Sequence, residues 1–243
     1  EFREIKVLHD YTNRACNCSR IRINLSGPCP KIVTSRSSNR TKTSINGLSF
    51  FSFAFKPENT LRVWSGHLEG GLTTENVLRQ FMVAPLFPVP VDIFAADVSY
   101  HDFSAGDTLT PADNVTLRTT MLNHPQNSTG YRVEFGGKSI CYVTDTEHFE
   151  DGPDQNILGL IDGADIVIYD SMFTDAEYPD YKEWGHSTWQ EGARLCAAAN
   201  VGTFVIFHHL PERTDEELDG IAAAVDEMRP GSLVAREGMI LKP

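Results

Sequence analysis

The chain has 243 residues, 41% of them hydrophobic and 22% charged, and a formal net charge of −12. That composition suits a globular domain with a sizeable core, and the acidic balance argues against broad nucleic-acid binding. No apolar run reaches the length of a membrane span and no secretory leader is visible, so a cytoplasmic protein without membrane association is expected.

The charge is unevenly placed. Residues 1–45 hold nine Lys+Arg against three Asp+Glu, whereas the remainder holds 12 against 30. The chain opens Glu-Phe with no Met, which points to a fragment or a cloning remnant at its start. Residues 1–45 therefore read as an atypical segment of one domain spanning 1–243. Five Cys do not make a paired disulfide framework. Cys16, Cys18 and Cys29 lack the spacing of a zinc ribbon, and Cys141 and Cys196 sit in apolar patterns where Cys is a small core residue. A reducing compartment follows.

From about residue 60 the pattern is regular. "LRVWSG" predicts a strand running into a glycine turn, and "TTENVLRQFM" a short helix with Thr74 as its N-cap. "APLFPVPVDIF" is apolar but broken by proline, which suits a covering loop better than an interior strand. "NVTLRTTML" and "YRVEFGGKSICYV" predict strands, the second folding as a hairpin at Gly136-Gly137. A helix near 154–162, the apolar strand "ADIVIYD", a helix from Ser187 to about Ala199, the strand "TFVIFHH", an amphipathic helix from Thr214 to about Met228 and a last strand "SLVARE" complete the chain. Hairpins first and alternation later predict an α/β (α+β) fold in which helices cover sheets. No internal repeat is present.

Polar residues cluster where predicted strands end. His124 follows "TTML", Asp145 follows "SICYV", Asp170 ends "DIVIYD", and His208 and His209 follow "FVIF". His186 precedes a helix that Ser187 or Thr188 can cap. Strand-end loops build active sites, and imidazoles with carboxylates suit a divalent metal that polarises a phosphoryl or carbonyl group. Each residue alone is weak evidence; together they are a constellation. P-loop, dinucleotide and Gly-x-Ser-x-Gly patterns are absent from the sequence.

The stretches "LNHP…GYRVEFGGKSICYVTDTEH", "ADIVIYDSMFTDAEYP", "GHSTWQEGARLCAAANV" and "VIFHHLPERTDEELD" resemble the metallo-β-lactamase superfamily, in its branch of ribonuclease Z and related phosphodiesterases. The resemblance runs from about residue 46 to 220. It implies the four-layered αβ/βα sandwich of that superfamily. It also implies that His124, Asp145 and His208 are metal ligands, with Asp145 bridging. His186 would be the general acid at the leaving group, and Asp170 would orient it. His209 would lie behind the site or at the surface, and His148 could touch the site or lie outside it. His67 and His101 read as structural. The implied cofactor is zinc, with manganese or iron as substitutes. A metal-bound hydroxide would attack the phosphorus of a small anionic or phosphodiester substrate. Nucleic acid is allowed but not favoured, and a homodimer is allowed.

One departure is serious. The superfamily's main ligand motif, His-x-His-x-Asp-His, precedes an apolar glycine-containing turn that "INGLSFF" (45–51) matches. The six residues in its place are Asn39, Arg40, Thr41, Lys42, Thr43 and Ser44, none of them a good ligand for a hydrolytic metal. Three accounts compete. The chain can be a degenerate relative acting as a binding or regulatory module. A rearranged set, His124, Asp145 and His208 with His148, can hold a single metal. Or the segment can be read out of frame. Shifting the codons of residues 32–43 by one base permits Asp-Arg-His, an aliphatic run and His-Lys-Asp, though not the flanking histidines at 39 and 44. The DNA sequence around codon 44 decides this last account.

Overall fold

The computed structural model describes residues 51–243, except His67 and Leu86, together with two short backbone strands nearer the N-terminus. Cys16, Cys18, Cys29, residues 39–44, most of the 45–51 turn and His67 lie outside the described residues.

Strands β1 (Glu4–Ile5) and β2 (Arg22–Asn24) pair antiparallel, and β12 (Ile240–Leu241) joins β2 in parallel. Strand β3 (Thr60–Ser65) pairs in parallel with β4 (Asp97–Asp102), and helix α1 (Thr74–Phe81) packs on both. Leu61, Val63, Leu78 and Met82 form the core of this unit. Thr73, not Thr74, caps α1: its hydroxyl accepts from the Asn76 N–H. Thr74 instead donates through Oγ1 to the Asp102 carboxylate at 2.6 Å, tying the helix start to β4.

The main sheet has seven strands. They are β5 (Thr108–Ala112), β6 (Val115–Leu122), β7 (Ser128–Phe135), β8 (Lys138–Val143), β9 (Ile166–Asp170), β10 (Thr203–Phe207) and β11 (Leu233–Val234), ordered 11-10-9-8-7-6-5 across the sheet. The first four are an antiparallel meander. From β8 onward the pairings are parallel. The crossovers are made by α2 (Gln155–Ile161), α3 (Trp189–Ala198) and α4 (Asp215–Met228). Two reversals between β6 and β8 leave these strands parallel. The carboxyl ends of β6, β8, β9 and β10 therefore share one edge of the sheet.

Side chains alternate across the sheet as the pleat requires. Val167 and Tyr169 of β9 enter the core beneath the three helices, with Leu195 and Ile161. Ile166 and Ile168 enter the opposite core, with Tyr131, Val205 and Phe207. Each fully buried aliphatic side chain is worth about 1.5–3 kcal/mol, which explains why β9, buried at all five positions, reads as one apolar run. The second face meets the β3–β4 unit: Phe103, just past β4, packs edge-on against Tyr131 at 6.4 Å. Helices, sheet, sheet and helix thus stack in the expected mixed α/β arrangement.

Strands β4 and β5 are not apparent in the sequence. β4 is only partly buried along its length, so "DVSYHD" shows no clean alternation. The proline-broken stretch is a loop, with one short 3-10 turn at Val91–Ile93.

Candidate functional site

The shared sheet edge gathers the polar residues. Asp145 lies two residues past β8, Asp170 is the last residue of β9, and His208 directly follows β10. His186 arrives from the loop before α3. A bridge between Phe173 and Thr188 anchors that loop, and the Thr188 side chain caps the helix. Ser187 is not the cap. It is buried, and its Oγ meets Tyr169 Oη at 3.1 Å and His148 Nδ1 at 3.0 Å.

Ligand-type atoms of Asp145, Asp170, His186 and His208 all lie within 4.8 Å of one another. Asp170 is their hub and has no solvent exposure. Its Oδ2 accepts from His186 Nδ1 and His208 Nδ1, both at 3.0 Å, and from the Asp145 N–H at 2.8 Å. Its Oδ1 faces the Met172 and Ser187 amides. Burial alone would raise this carboxyl's pKa. The imidazoles of His208 and His186 outweigh that and hold it far below the usual carboxylate range. With Nδ1 of both rings turned to Asp170, Nε2 is the nitrogen each ring can offer to a metal or a substrate. Asp145 Oδ1 stands 3.5 Å from His208 Nδ1 and 3.8 Å from His186 Nδ1.

Asp145 and His208 both adopt left-handed backbone, with φ of 56° and 63°. That conformation is uncommon outside glycine, though Asp and His adopt it more readily than most, and it concentrates at functional sites. The Asp145 turn is pinned by the Ser128 hydroxyl, which donates to its carbonyl at 2.6 Å.

His124 lies outside the four-residue group but against it. Its ring centroid is 6.1 Å from that of His186. Gly185 makes the room: a Cβ there would fall 2.4 Å from His124 Cδ2, and its φ of +80° also suits glycine. His148 packs tilted against Tyr178, ring centroids 4.1 Å apart, and lines a neighbouring cavity of about 650 Å³ with Lys182 and Arg194. It does not enter the group. Burial lowers the pKa of His209 to about 4, and its Nε2 lies 3.3 Å from the Ala235 carbonyl, away from the group. His101 stacks on Trp64 at 4.3 Å, in keeping with a structural role.

Sequence reasoning missed Glu147. Its carboxylate accepts from Tyr178 Oη and the Glu183 N–H, both at 2.8 Å, and from the Gly185 N–H at 2.9 Å. Its backbone bonds to Asn123 at 2.7 and 3.0 Å. One residue thus ties the loops of His124, Asp145 and His186 together. Its place two residues after Asp145 was the only signal.

As chemistry, the donor set fits a divalent cation. Two carboxylates and several imidazoles converge, and one buried carboxylate fixes the tautomer of two rings. No helix among the described residues is long and apolar enough to cross a membrane.

Comparison with known proteins places the fold in a family. The family model "Beta-lactamase superfamily domain" matches residues 56–209. Ribonuclease Z of Exiguobacterium sp. is 31% identical over 101 residues, 42% of this chain and 32% of that protein. The chain spans about a third of the length of the curated relatives it matches. Among solved structures, the metallo-beta-lactamase fold protein YhfI from Bacillus subtilis superposes with a TM-score of 0.62 at 15% identity, covering 97% of each chain. Zn(2+)-bound PqqB from Methylobacterium extorquens superposes at 0.55 with 13% identity, covering 93% of this chain and 84% of that one. Those structural likenesses speak for the fold alone. By the family match over most of its length, this chain belongs to the beta-lactamase superfamily, and its sequence relatives lie on the ribonuclease Z-like branch.

Proposed function

We propose that this chain is a metal-dependent hydrolase acting on phosphodiesters. The observation that carries the reading is the convergence of Asp145, Asp170, His186 and His208 within 4.8 Å at one sheet edge. Their order along the chain, and the ribonuclease Z relatives, support it. His124, Asp145 and His208 would hold the cation, zinc first and manganese or iron as substitutes. A divalent cation bound there supplies Lewis-acid charge and an activated water.

The chain's own residues do the rest. Asp170 accepts hydrogen bonds from the Nδ1–H of both histidines and so fixes which nitrogen each ring offers. His186, with Nδ1 so held, presents Nε2 to the leaving oxygen and delivers a proton there. Glu147 keeps the loop of His186 in register with Asp145. The substrate is a phosphodiester, and the relatives' names make RNA one source of it. The free, buried thiols of Cys141 and Cys196 suit a reducing cytoplasm. Pairing of β12 with β2 supports one domain over 1–243.

The second reading, a catalytically silent binding module, is favoured by a specific feature. Asn39 to Ser44 stand where the superfamily's main ligands belong. Elemental analysis and turnover separate the two. A hydrolase contains zinc, manganese or iron, melts lower with chelator, and loses about 100-fold or more of its aryl phosphodiesterase rate in His208→Ala. A protein with no turnover under any of these metals, and a melting temperature unmoved by chelator, is the silent module.

A further inference from the structure

Ser187 is wholly buried next to His186 in the chain, and its hydroxyl joins Tyr169 to His148. Tyr169 is wholly buried too, and Ser187 Oγ, at 3.1 Å, is the only partner of its phenol among the described residues. A buried O–H left without an acceptor carries its full desolvation cost, so Tyr169 donates to Ser187. Ser187 then has one proton to place, and His148 Nδ1 at 3.0 Å is the acceptor left for it. A neutral imidazole that accepts at Nδ1 carries its proton on Nε2. Burial favours that neutral form and lowers the His148 pKa below its ordinary 6.5. The three residues therefore form a one-way relay, Tyr169 to Ser187 to His148. It ends in a donor, His148 Nε2–H, with no partner among the described residues.

His148 belongs to the wall of the neighbouring cavity of about 650 Å³, and Ser187 does not. With Nδ1 committed to Ser187, Nε2–H is the polar group that His148 offers the cavity. Pockets that take small organic ligands have volumes of about 300–1,000 Å³. Much of the wall is apolar, from Phe149, Pro153, Pro179 and Leu195. Its two cations are already paired: Lys182 with Glu150, and Arg194 with Glu191 and Asp175, each at 2.8 Å. We propose that this cavity is an effector site for a small, uncharged, largely apolar molecule whose carbonyl oxygen accepts from His148 Nε2–H, and that the occupant acts on His186 through Ser187. The action on His186 rests on the phosphodiesterase reading above. The Ser187 N–H faces Oδ1 of Asp170, whose Oδ2 holds His186 Nδ1. An acceptor at Nε2 draws Ser187 more firmly onto Nδ1, because hydrogen bonds in a chain strengthen one another. The loop that carries the general acid is thereby steadied.

Nitrogen NMR of the histidine rings in the full chain reads the relay without ligand. His148 is expected as the Nε2–H tautomer, and the Nδ1–H tautomer overturns the proposal. NMR titration then uses benzamide, toluene and benzoate on the wild type, His148→Asn and Ala198→Trp. Asn keeps a polar atom near the place of Nδ1 and removes Nε2. Ala198 is an exposed lining residue at the end of α3, so a larger side chain there fills the cavity without disturbing the core. The wild type is expected to bind benzamide about fivefold or more tighter than toluene, and His148→Asn to lose that margin. Ala198→Trp should bind neither. A wild type that does not bind benzamide at millimolar concentration overturns the site, as does undiminished benzamide binding in either variant. A preference for benzoate over benzamide makes the occupant an anion and overturns the assignment of an uncharged one. In aryl phosphodiester turnover, saturating benzamide is expected to raise kcat about twofold or more in the wild type and not in Ala198→Trp. Binding with kcat unchanged or lowered overturns the action on His186. An intact benzamide margin without turnover under any metal would instead defeat the hydrolase reading and leave the binding site standing.

Discussion

The two edges of the seven-stranded sheet differ in which residues carry left-handed backbone. At the edge away from the site, left-handed backbone falls on Asn114, Gly136, Gly137, Gly163, Asn200 and Gly231. Glycine and asparagine reach that conformation cheaply. At the site edge it falls on Asn127, Gly152 and Gly185, and in addition on Asp145, Glu183 and His208. Glu183 in particular reaches it at a cost, and hydrogen bonds hold all three residues in place. The contrast locates function without reference to any relative: one edge is built for economy, the other around particular side chains.

The sharpest way to break the contrast is to remove the hub that steadies the site edge. Asp170 accepts from two imidazoles and three backbone amides, all in a place without solvent. Asp170→Ala leaves those donors buried with no acceptor, and a loss of about 3–5 kcal/mol is expected. Urea unfolding of the apo proteins measures it. A loss under about 1 kcal/mol would mean that the hub does not hold the edge together.

A paired substitution sharpens the same contrast at smaller amplitude. Asn is nearly isosteric with Asp and tolerates left-handed backbone better. Asp145→Asn should therefore leave stability unchanged or slightly higher while turnover falls about 100-fold or more. Gly136→Ala, where an added Cβ meets nothing within 4 Å, carries only the backbone penalty. About 1–2 kcal/mol of stability should go, with activity intact. The expectation is thus function without stability at one edge, and stability without function at the other. Equal losses of both properties in both variants would erase the distinction.

Much of this was legible in the sequence. β8, β9 and β10 are apolar runs bounded by turns, and the polar residue closing each run marked the edge where Asp145, Asp170 and His208 meet. Parallel pairing, which follows from the helices between them, is what turns that linear pattern into a place. Three things were not legible. Glu147 acts through loop backbone, and no spacing rule links a carboxylate to amides 36 and 38 residues away. The cap before α3 was legible as Ser187 or Thr188, and Thr188 takes it, but the inward pull of Tyr169 and His148 on Ser187 was not. β4 and β5 are half-buried, and half-burial blurs the period on which a strand is recognised.

The smallest effect concerns how the site edge is fastened. Glu177 makes a two-point ion pair with Arg213, at 3.1 and 2.8 Å, and Arg213 also reaches the Met172 carbonyl. The pair ties the loop of Trp184 and His186 to the segment following His208. The hydrogen bond from Arg213 lowers the Glu177 pKa below its ordinary value of 4.5, against a smaller opposing effect of burial. A carboxyl depressed on folding adds stability that is complete above its unfolded value and fades as pH falls through its folded value. Glu177→Gln should therefore cost about 1 kcal/mol at neutral pH, and less as the pH drops below about 4.5. Wild type and variant should converge in acid. Melting temperatures taken from neutral pH down to about pH 3 would show it, and parallel curves over that range would mean that Arg213 holds the loop through the Met172 carbonyl alone.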